Sequence, residues 1–353
     1  MDDAGVIDWS SVQSYMLLNP RMPAREQERL RALAIDLPRH LWLATSGTTG
    51  SLKLTALSKE AMLASAAAVN RRLQASASDV WCCVLPSFHV GGLGIYARAY
   101  LAGSRVQRMD WDPRAFAAQQ EMTLASLVPA QVSDLLELRL MPPPALRAIV
   151  VGGGALTESL YRQGCERGWP LLPSYGMTET CSQVATATLS APELVLLDHV
   201  TARVEDGRLA FRGAALLTGY ATERGFVDPK QDGWFITEDL GSVEDGVVTV
   251  EGRRGDFVKV GGESVDLGRL DAIVASVAGQ RAAVVAVPDQ RLGYVIHLAV
   301  ETSYDGDVAK AFNARVHPFE RARAVHRVAE IPRSPLGKLL RKRLLELLPK
   351  TLE

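Results

Sequence analysis

Lys53 ends a run of small polar residues that suits a polyphosphate. Thr45, Ser46, Gly47, Thr48, Thr49, Gly50 and Ser51 come first, two glycines set among hydroxyl side chains. Glycine lets the main chain approach a ligand closely, and a turn of this kind offers backbone N–H and hydroxyl donors to an anion. Lys53 adds the positive charge. The spacing is not that of a Walker loop, in which the lysine directly follows the last glycine; here it lies three positions beyond Gly50. A second cluster, Gly152-Gly153-Gly154, follows an apolar run and would let a flat base or a ribose lie against the backbone. A third segment, Ser174-Tyr175-Gly176-Met177-Thr178-Glu179, holds an aromatic ring, a turn glycine, a hydroxyl and a carboxylate within six positions. Tyr175 suits a purine face, Thr178 a phosphate oxygen, and Glu179 a magnesium ion, which takes hard oxygen ligands shared with substrate phosphates.

These segments need a frame, and the hydropathy pattern supplies one. Leu41–Ala44 reads as a buried strand that hands over to the polar loop, with no strand or helix expected from Thr45 to Lys53. Ser58 is placed to cap a helix running to about Leu73. Strand and helix signals then alternate from Val80 to Leu172, which predicts a largely parallel sheet covered on both faces. Ligands collect at the carboxyl ends of such strands, where the second and third segments fall. From residue 199 to 250 the pattern changes to short strands and tight turns, with Asp206-Gly207 and Asp245-Gly246 as hairpin signals. A small α+β unit follows from about Gly255 and ends in a basic amphipathic helix expected over Lys338–Leu348. The expected fold is therefore α/β: a large N-terminal domain over 1–252 with a β-rich subdomain, and a small α+β domain over 253–353.

Bulk composition narrows the function. The 353 residues are 47% hydrophobic, enough for a packed core. Lys and Arg number 39 against 40 Asp and Glu, a balance that gives no support for a nucleic-acid footprint and leaves room for a local basic site for phosphates. Four cysteines without a C-x-x-C pair, and scattered histidines, argue against zinc and fit a reducing cytoplasm. The start, MDDAGVIDWS, is acidic rather than signal-like, and no apolar run approaches the ~20 residues of a membrane span.

Three ordered glycine-and-hydroxyl segments resemble those of the adenylate-forming enzymes: acyl-CoA ligases, luciferases and peptide-synthetase adenylation domains. The resemblance runs from Leu41 to the C-terminus. Gly233-Trp234-Phe235-Ile236-Thr237-Glu238-Asp239 is similar to the family's ribose segment, Gly252-Arg253-Arg254-Gly255-Asp256 to its hinge, and Pro332-Arg333-Ser334-Pro335-Leu336-Gly337-Lys338 to the loop bearing its catalytic lysine. Leu85-Pro86-Ser87-Phe88-His89-Val90-Gly91-Gly92-Leu93 with Arg98, and Phe257–Glu263, most resemble the o-succinylbenzoate–CoA ligases of menaquinone biosynthesis.

The resemblance implies an ATP-dependent acid–thiol ligase that uses Mg²⁺ and coenzyme A. Thr45–Lys53, Gly152–Gly154, Tyr175, Gly176, Met177, Thr178, Asp239 and Arg253 are then expected at the nucleotide, and Gly261 and Gly262 at the pantetheine tunnel. Lys338, Glu179 and His89 are expected in catalysis, Glu179 as metal ligand, and His89 with Arg98 at the acid. Arg98 suits the second carboxylate of a dicarboxylic acid. The resemblance also implies rotation of the small domain at Gly255, a cytoplasmic enzyme and a homodimer.

Three positions depart from the family pattern: Glu238 where Gly is common, Leu52 where Pro is usual, and Gly255 at the pivot. The 44 residues before Thr45 are fewer than in most relatives, so the first subdomain is expected to be reduced. The alternatives are a CoA ligase for another aromatic or fatty acid, an adenylation domain loading a carrier, and a non-catalytic nucleotide- or acyl-binding remnant.

Overall fold

The structure is a computed structural model that describes residues 7–46, 52–154, 156–253, 257–260, 263–289, 292–334 and 337–348. The chain divides into two compact units, one of Met1–Thr237 with Ser242–Thr249, the other of Glu238–Gly241 with Val250–Glu353.

In the first unit, β1 (Tyr15–Leu17) and α1 (Ala24–Leu33) precede a hairpin of β2 (His40–Ser46) and β3 (Leu52–Ser58). The hairpin explains the unbroken apolar run. Leu41, Leu43 and Leu57 enter one core while Trp42, Leu54 and Ala56 enter another, so both faces are buried. It also corrects an expectation. Thr45 and Ser46 continue β2, Leu52 and Lys53 begin β3, and Thr45 pairs with Lys53 across the ladder. The pairing satisfies backbone groups that composition alone assigns to a turn, and Thr45 Oγ1 bonds Thr55 Oγ1 at 2.9 Å. Gly47, Thr48, Thr49, Gly50 and Ser51 lie outside the described residues.

Ser58 caps α2 (Lys59–Leu73) as expected, its hydroxyl accepting from Ala61 N at 3.0 Å. Lys59 at the first turn is fully buried; its ammonium donates to the carbonyls of Asp8 and Ser11 and to Ser11 Oγ, pinning the N-terminal segment.

The alternating region follows as β4 (Val80–Cys83), α3 (Val90–Ala102), β5 (Arg105–Arg108), α4 (Pro113–Ala117), β6 (Leu124–Leu127), α5 (Pro129–Glu137), β7 (Ala148–Val151), α6 (Glu158–Glu166) and β8 (Leu171–Met177). β5, β4, β6, β7 and β8 lie side by side and parallel. Every residue of β4, β6 and β7 is buried, as a doubly covered parallel sheet requires.

Beyond β8 the sheet turns antiparallel. β9 (Ser182–Thr188), β10 (Ala191–Leu196), β11 (Val200–Glu205) and β12 (Arg208–Gly213) are followed by β13 (Gly219–Thr222), β14 (Gly225–Val227), β15 (Phe235–Glu244) and β16 (Val247–Arg253). The eleven-stranded order is β11-β12-β15-β16-β10-β9-β8-β7-β6-β4-β5. β13 and β14 leave it to extend the sheet of β1, β2 and β3. Asp206-Gly207 and Asp245-Gly246 have positive φ at both positions, the requirement of a two-residue hairpin turn that keeps the strand twist.

The second unit holds β17 (Phe257–Val260), β18 (Glu263–Asp266), α7 (Leu267–Ala278), β19 (Ala282–Asp289), β20 (Gly293–Glu301), α8 (Val308–Asn313), β21 (Ala324–Val328) and α9 (Arg341–Leu347). Its sheet runs β18-β17-β20-β19, with β21 parallel on β20. Alternation divides two cores. Val284, Ile296 and Leu298 pack with Leu270 and Val274 of α7, whereas Ala283, Val285 and Ala299 pack with Leu344 of α9. No helix among the described residues is long and apolar enough to cross a membrane.

Candidate active site

Lys53, Tyr220 and Glu179 form a charged cluster at the mouth of the β2–β3 hairpin. β13 pairs antiparallel with β3 and so brings Tyr220 beside Lys53. The Lys53 ammonium lies 3.2 Å from the centre of the Tyr220 ring, and the phenol donates to Glu179 Oε1 at 2.8 Å. Lys53 Nζ is 4.0 Å from the same oxygen. Glu179 is held from its own backbone as well, its carbonyl accepting from Leu217 N at 2.8 Å. Glu179 Oε2 makes no hydrogen bond among the described residues. One fixed carboxylate with a spare oxygen fits Mg²⁺, which completes its shell with water and substrate phosphates. Among the described residues no group of three or more His, Cys, Asp or Glu could form a dedicated metal cage.

The segment before Glu179 continues β8 rather than forming a loop. Ser174, Tyr175, Gly176 and Met177 all pair with β9, and the register shifts between Tyr175 and Gly176. Gly176 is therefore no turn glycine. A Cβ there would sit 1.8 Å from the Ser182 carbonyl oxygen, so the position admits glycine because two backbones touch. Tyr175 leans on Phe211, with ring centres 6.0 Å apart. Thr178 opens a single 3₁₀ turn, Thr178–Thr180, that presents Glu179. At the end of neighbouring β7, a Cβ on Gly152 would meet Ser174 Oγ at 2.8 Å, and Gly153 takes φ +76°. Gly153 and Gly154 are exposed, leaving this rim open to a ligand.

Arg98 is 1% exposed, which excludes a solvent-facing arginine on α3. Its Nη2 donates to Ser182 Oγ at 3.2 Å and its Nη1 to Ser126 Oγ at 3.5 Å, while the guanidinium lies 5.4 Å from the Trp81 ring centre. Nε has no partner among the described residues. No carboxylate among the described residues pairs with this cation, and burial pulls its pKa down to about 10, still charged at neutral pH. A buried charge solvated by two hydroxyls alone is costly unless something anionic joins it. Ser182 reaches it from a strained backbone: Cys181 has φ +53° and Ser182 φ +117°. Thr180 holds the kink, its hydroxyl donating to the Ser182 carbonyl at 2.8 Å while accepting from Met177 N at 3.1 Å. Strain of this kind concentrates at functional sites.

His89 precedes α3, with its ring against Phe88 at 4.7 Å between centres. Its Nε2 is buried without a partner, and burial alone pulls the pKa down to about 4. It is a neutral imidazole at physiological pH.

The remaining expected residues belong to the second unit or fall outside the described residues. Asp239 is a half-buried residue of β15, not a turn residue. Arg253 ends β16, and its side chain lies outside the described residues, as do Gly255, Gly261 and Gly262. Lys338 is exposed in the loop before α9, which starts at Arg341 rather than at Lys338 as expected. Sequence reasoning missed Tyr220, Ser126, Ser182 and Thr180. Only the placement of Ser182 three positions beyond Glu179 offered a signal.

The AMP-binding enzyme family matches this chain over residues 41–220. The chain belongs to that family. Among its relatives, a 2-succinylbenzoate–CoA ligase of Bacillus licheniformis is 31% identical over 331 residues, covering 85% of this chain and 68% of the relative. The ligase of the same name from Bacillus pumilus is 28% identical over 352 residues, covering 92% and 72%. Among solved structures, the o-succinylbenzoate CoA synthetase of Bacillus subtilis in complex with its acyl-adenylate intermediate superposes with a TM-score of 0.77 at 26% identity, covering 86% of this chain and 68% of that one. The same enzyme with ATP and magnesium ion gives 0.78 at 23% identity, a likeness of fold. The family match takes in the Lys53, Tyr220 and Glu179 cluster and Arg98 together.

Proposed function

We propose that this member of the AMP-binding family is an ATP-dependent ligase that converts o-succinylbenzoate to o-succinylbenzoyl-CoA through an acyl-adenylate, in the menaquinone pathway of the cytoplasm. The names of the relatives support the reaction. The buried Arg98, which no carboxylate among the described residues pairs, carries the choice of a dicarboxylic acid: it supplies a charged, preorganised fork for the carboxylate that does not react.

In the first step, a carboxylate oxygen attacks the α-phosphorus of ATP. A C–O–P anhydride forms, the bond from the α-phosphorus to the bridging oxygen breaks, and pyrophosphate leaves. Two anions must meet, so catalysis rests on fixed positive charge and alignment. The segment Thr45–Lys53 holds the β- and γ-phosphates, Glu179 holds Mg²⁺ with Tyr220 fixing the carboxylate's orientation, and Gly152–Gly154 with Tyr175, Gly176, Met177 and Thr178 flank the nucleoside and its α-phosphate. Bound Mg²⁺ screens the phosphate charge. Asp239 and Arg253 hold the ribose. Lys338 offsets charge at the α-phosphate.

In the second step, the thiolate sulfur of CoA attacks the acyl carbon, the C–O bond to the phosphate breaks, and AMP leaves with the electron pair. The small unit turns at Gly255 between steps, withdrawing Lys338 and bringing Gly261 and Gly262 to the pantetheine. His89, neutral and partly buried, walls the acid pocket. Homodimerisation belongs to this proposal and is measured by light scattering.

The test is a panel of acids with ATP, Mg²⁺ and CoA, read by mass spectrometry of the thioester. o-Succinylbenzoate should outrank benzoates and fatty acids by at least about a hundredfold in kcat/KM, the scale of losing a charged, buried contact. A monocarboxylate used equally well would overturn the choice of acid.

A further inference from the structure

Two guanidinium groups fasten the loop that carries Lys338. Arg333 Nη1 donates to the carbonyl of Gly337 at 3.1 Å, and its Nη2 to the carbonyl of Gln280, just beyond α7, also at 3.1 Å. Arg341 holds the other end: it donates to Val284 O at 3.1 Å and pairs with Asp271 of α7 at 2.5 Å. Between them Ser334 bonds to Gly337 and Lys338. Ser334 N donates to Lys338 O at 2.7 Å, Gly337 N to Ser334 O at 2.8 Å, and Lys338 N to Ser334 Oγ at 3.1 Å.

The two fastenings differ in what they can control. Arg341 ties the first residue of α9 to β19 and α7. Arg333 reaches from the entrance of the loop to the residue directly before Lys338 and ties that residue to the body of the unit. Gly337 has φ +77°, a conformation that gives its carbonyl a direction other residues rarely adopt. The planar fork of an arginine spans two carbonyls at once, whereas a lysine ammonium is a single point on a flexible stem. Arg333 Nε is buried without a partner among the described residues, so the two Nη groups carry the fastening.

We propose that Arg333 is a positioning residue for the adenylation step: through Gly337 it fixes the backbone from which Lys338 extends. This rests on the role given to Lys338 above. A misplacement of about 1 Å in a reacting group costs on the order of a hundredfold in rate. The loss belongs to the first half-reaction alone, since the second does not use Lys338.

The test measures both half-reactions for the wild type, Arg333→Ala, Arg333→Lys and Lys338→Ala. Adenylation is read as pyrophosphate release with o-succinylbenzoate, and thioester formation starts from supplied o-succinylbenzoyl-adenylate and CoA. Arg333→Ala and Arg333→Lys should both lose roughly a hundredfold in adenylation kcat, with KM for ATP little changed. Thioester formation should stay within about threefold of wild type, which also reports a folded unit. Equal loss in both half-reactions, or full adenylation by Arg333→Ala beside an inactive Lys338→Ala, overturns the inference. Full adenylation by Lys338→Ala overturns the role of that lysine and the inference with it.

Discussion

The Lys53 ammonium sits 3.2 Å above the centre of the Tyr220 ring while the Tyr220 hydroxyl donates to Glu179 Oε1. One phenol thus steadies a cation through its face and an anion through its edge. The same Glu179 oxygen lies 4.0 Å from Lys53 Nζ, so cation, ring and carboxylate form one cluster.

That arrangement predicts separable losses. Tyr220→Phe keeps the ring under Lys53 and removes one hydrogen bond to a carboxylate, worth about 1.5–3 kcal/mol. Adenylation should fall by roughly tenfold to a hundredfold, and the Mg²⁺ concentration for half-maximal rate should rise. Glu179→Gln should fall further and show the larger Mg²⁺ shift. Pyrophosphate release titrated with Mg²⁺ checks both. An unchanged Mg²⁺ requirement in Glu179→Gln would remove that residue from the metal.

Ser182 gives a prediction in which stability and binding move apart. Its φ of +117° suits glycine, but its hydroxyl also solvates the buried Arg98, so the two effects oppose and Ser182→Gly should leave the melting temperature near that of the wild type. The same change takes a hydroxyl from Arg98. KM for o-succinylbenzoate should rise severalfold, with KM for ATP unmoved. Arg98→Ala should raise the acid KM far more, by on the order of a hundredfold. Thermal melts beside steady-state kinetics on both substrates check the pair.

Much of this site was legible in the sequence, and the failures have physical causes. Leu41–Ala44 as strand, Ser58 as cap and the two Asp-Gly hairpins follow from local rules, and each holds. The polar stretch after Ala44 misled because a ladder partner can keep hydroxyl residues extended, as Lys53 does for Thr45. Gly176 read as a turn because a glycine demanded by touching backbones looks the same in sequence. Tyr220 was invisible because it comes to Lys53 through pairing between strands far apart in the chain. Arg98 was placed by the resemblance of its segment, but that no carboxylate among the described residues pairs with it is a property of packing.

Acidification supplies a stability test. Burial holds His89 and His199 at about 4, well below their ordinary value of 6.5. Above pH 6.5 both are neutral whether folded or unfolded. As the pH falls from 6.5 toward 4, the unfolded chain takes up protons that the folded chain refuses, so stability drops across that window. His89→Gln and His199→Gln should each flatten the fall in melting temperature between pH 6.5 and 4. A slope identical to wild type in both variants would show that neither ring is held neutral by the fold.

The most direct measurement is exchange of radiolabelled pyrophosphate into ATP with Mg²⁺ and without CoA. With o-succinylbenzoate present, label should enter ATP, because the acyl-adenylate forms and reverses on the enzyme; omitting the acid should reduce exchange to background. Exchange that is absent with the acid, or that proceeds equally without it, would contradict an enzyme that activates this acid as its adenylate.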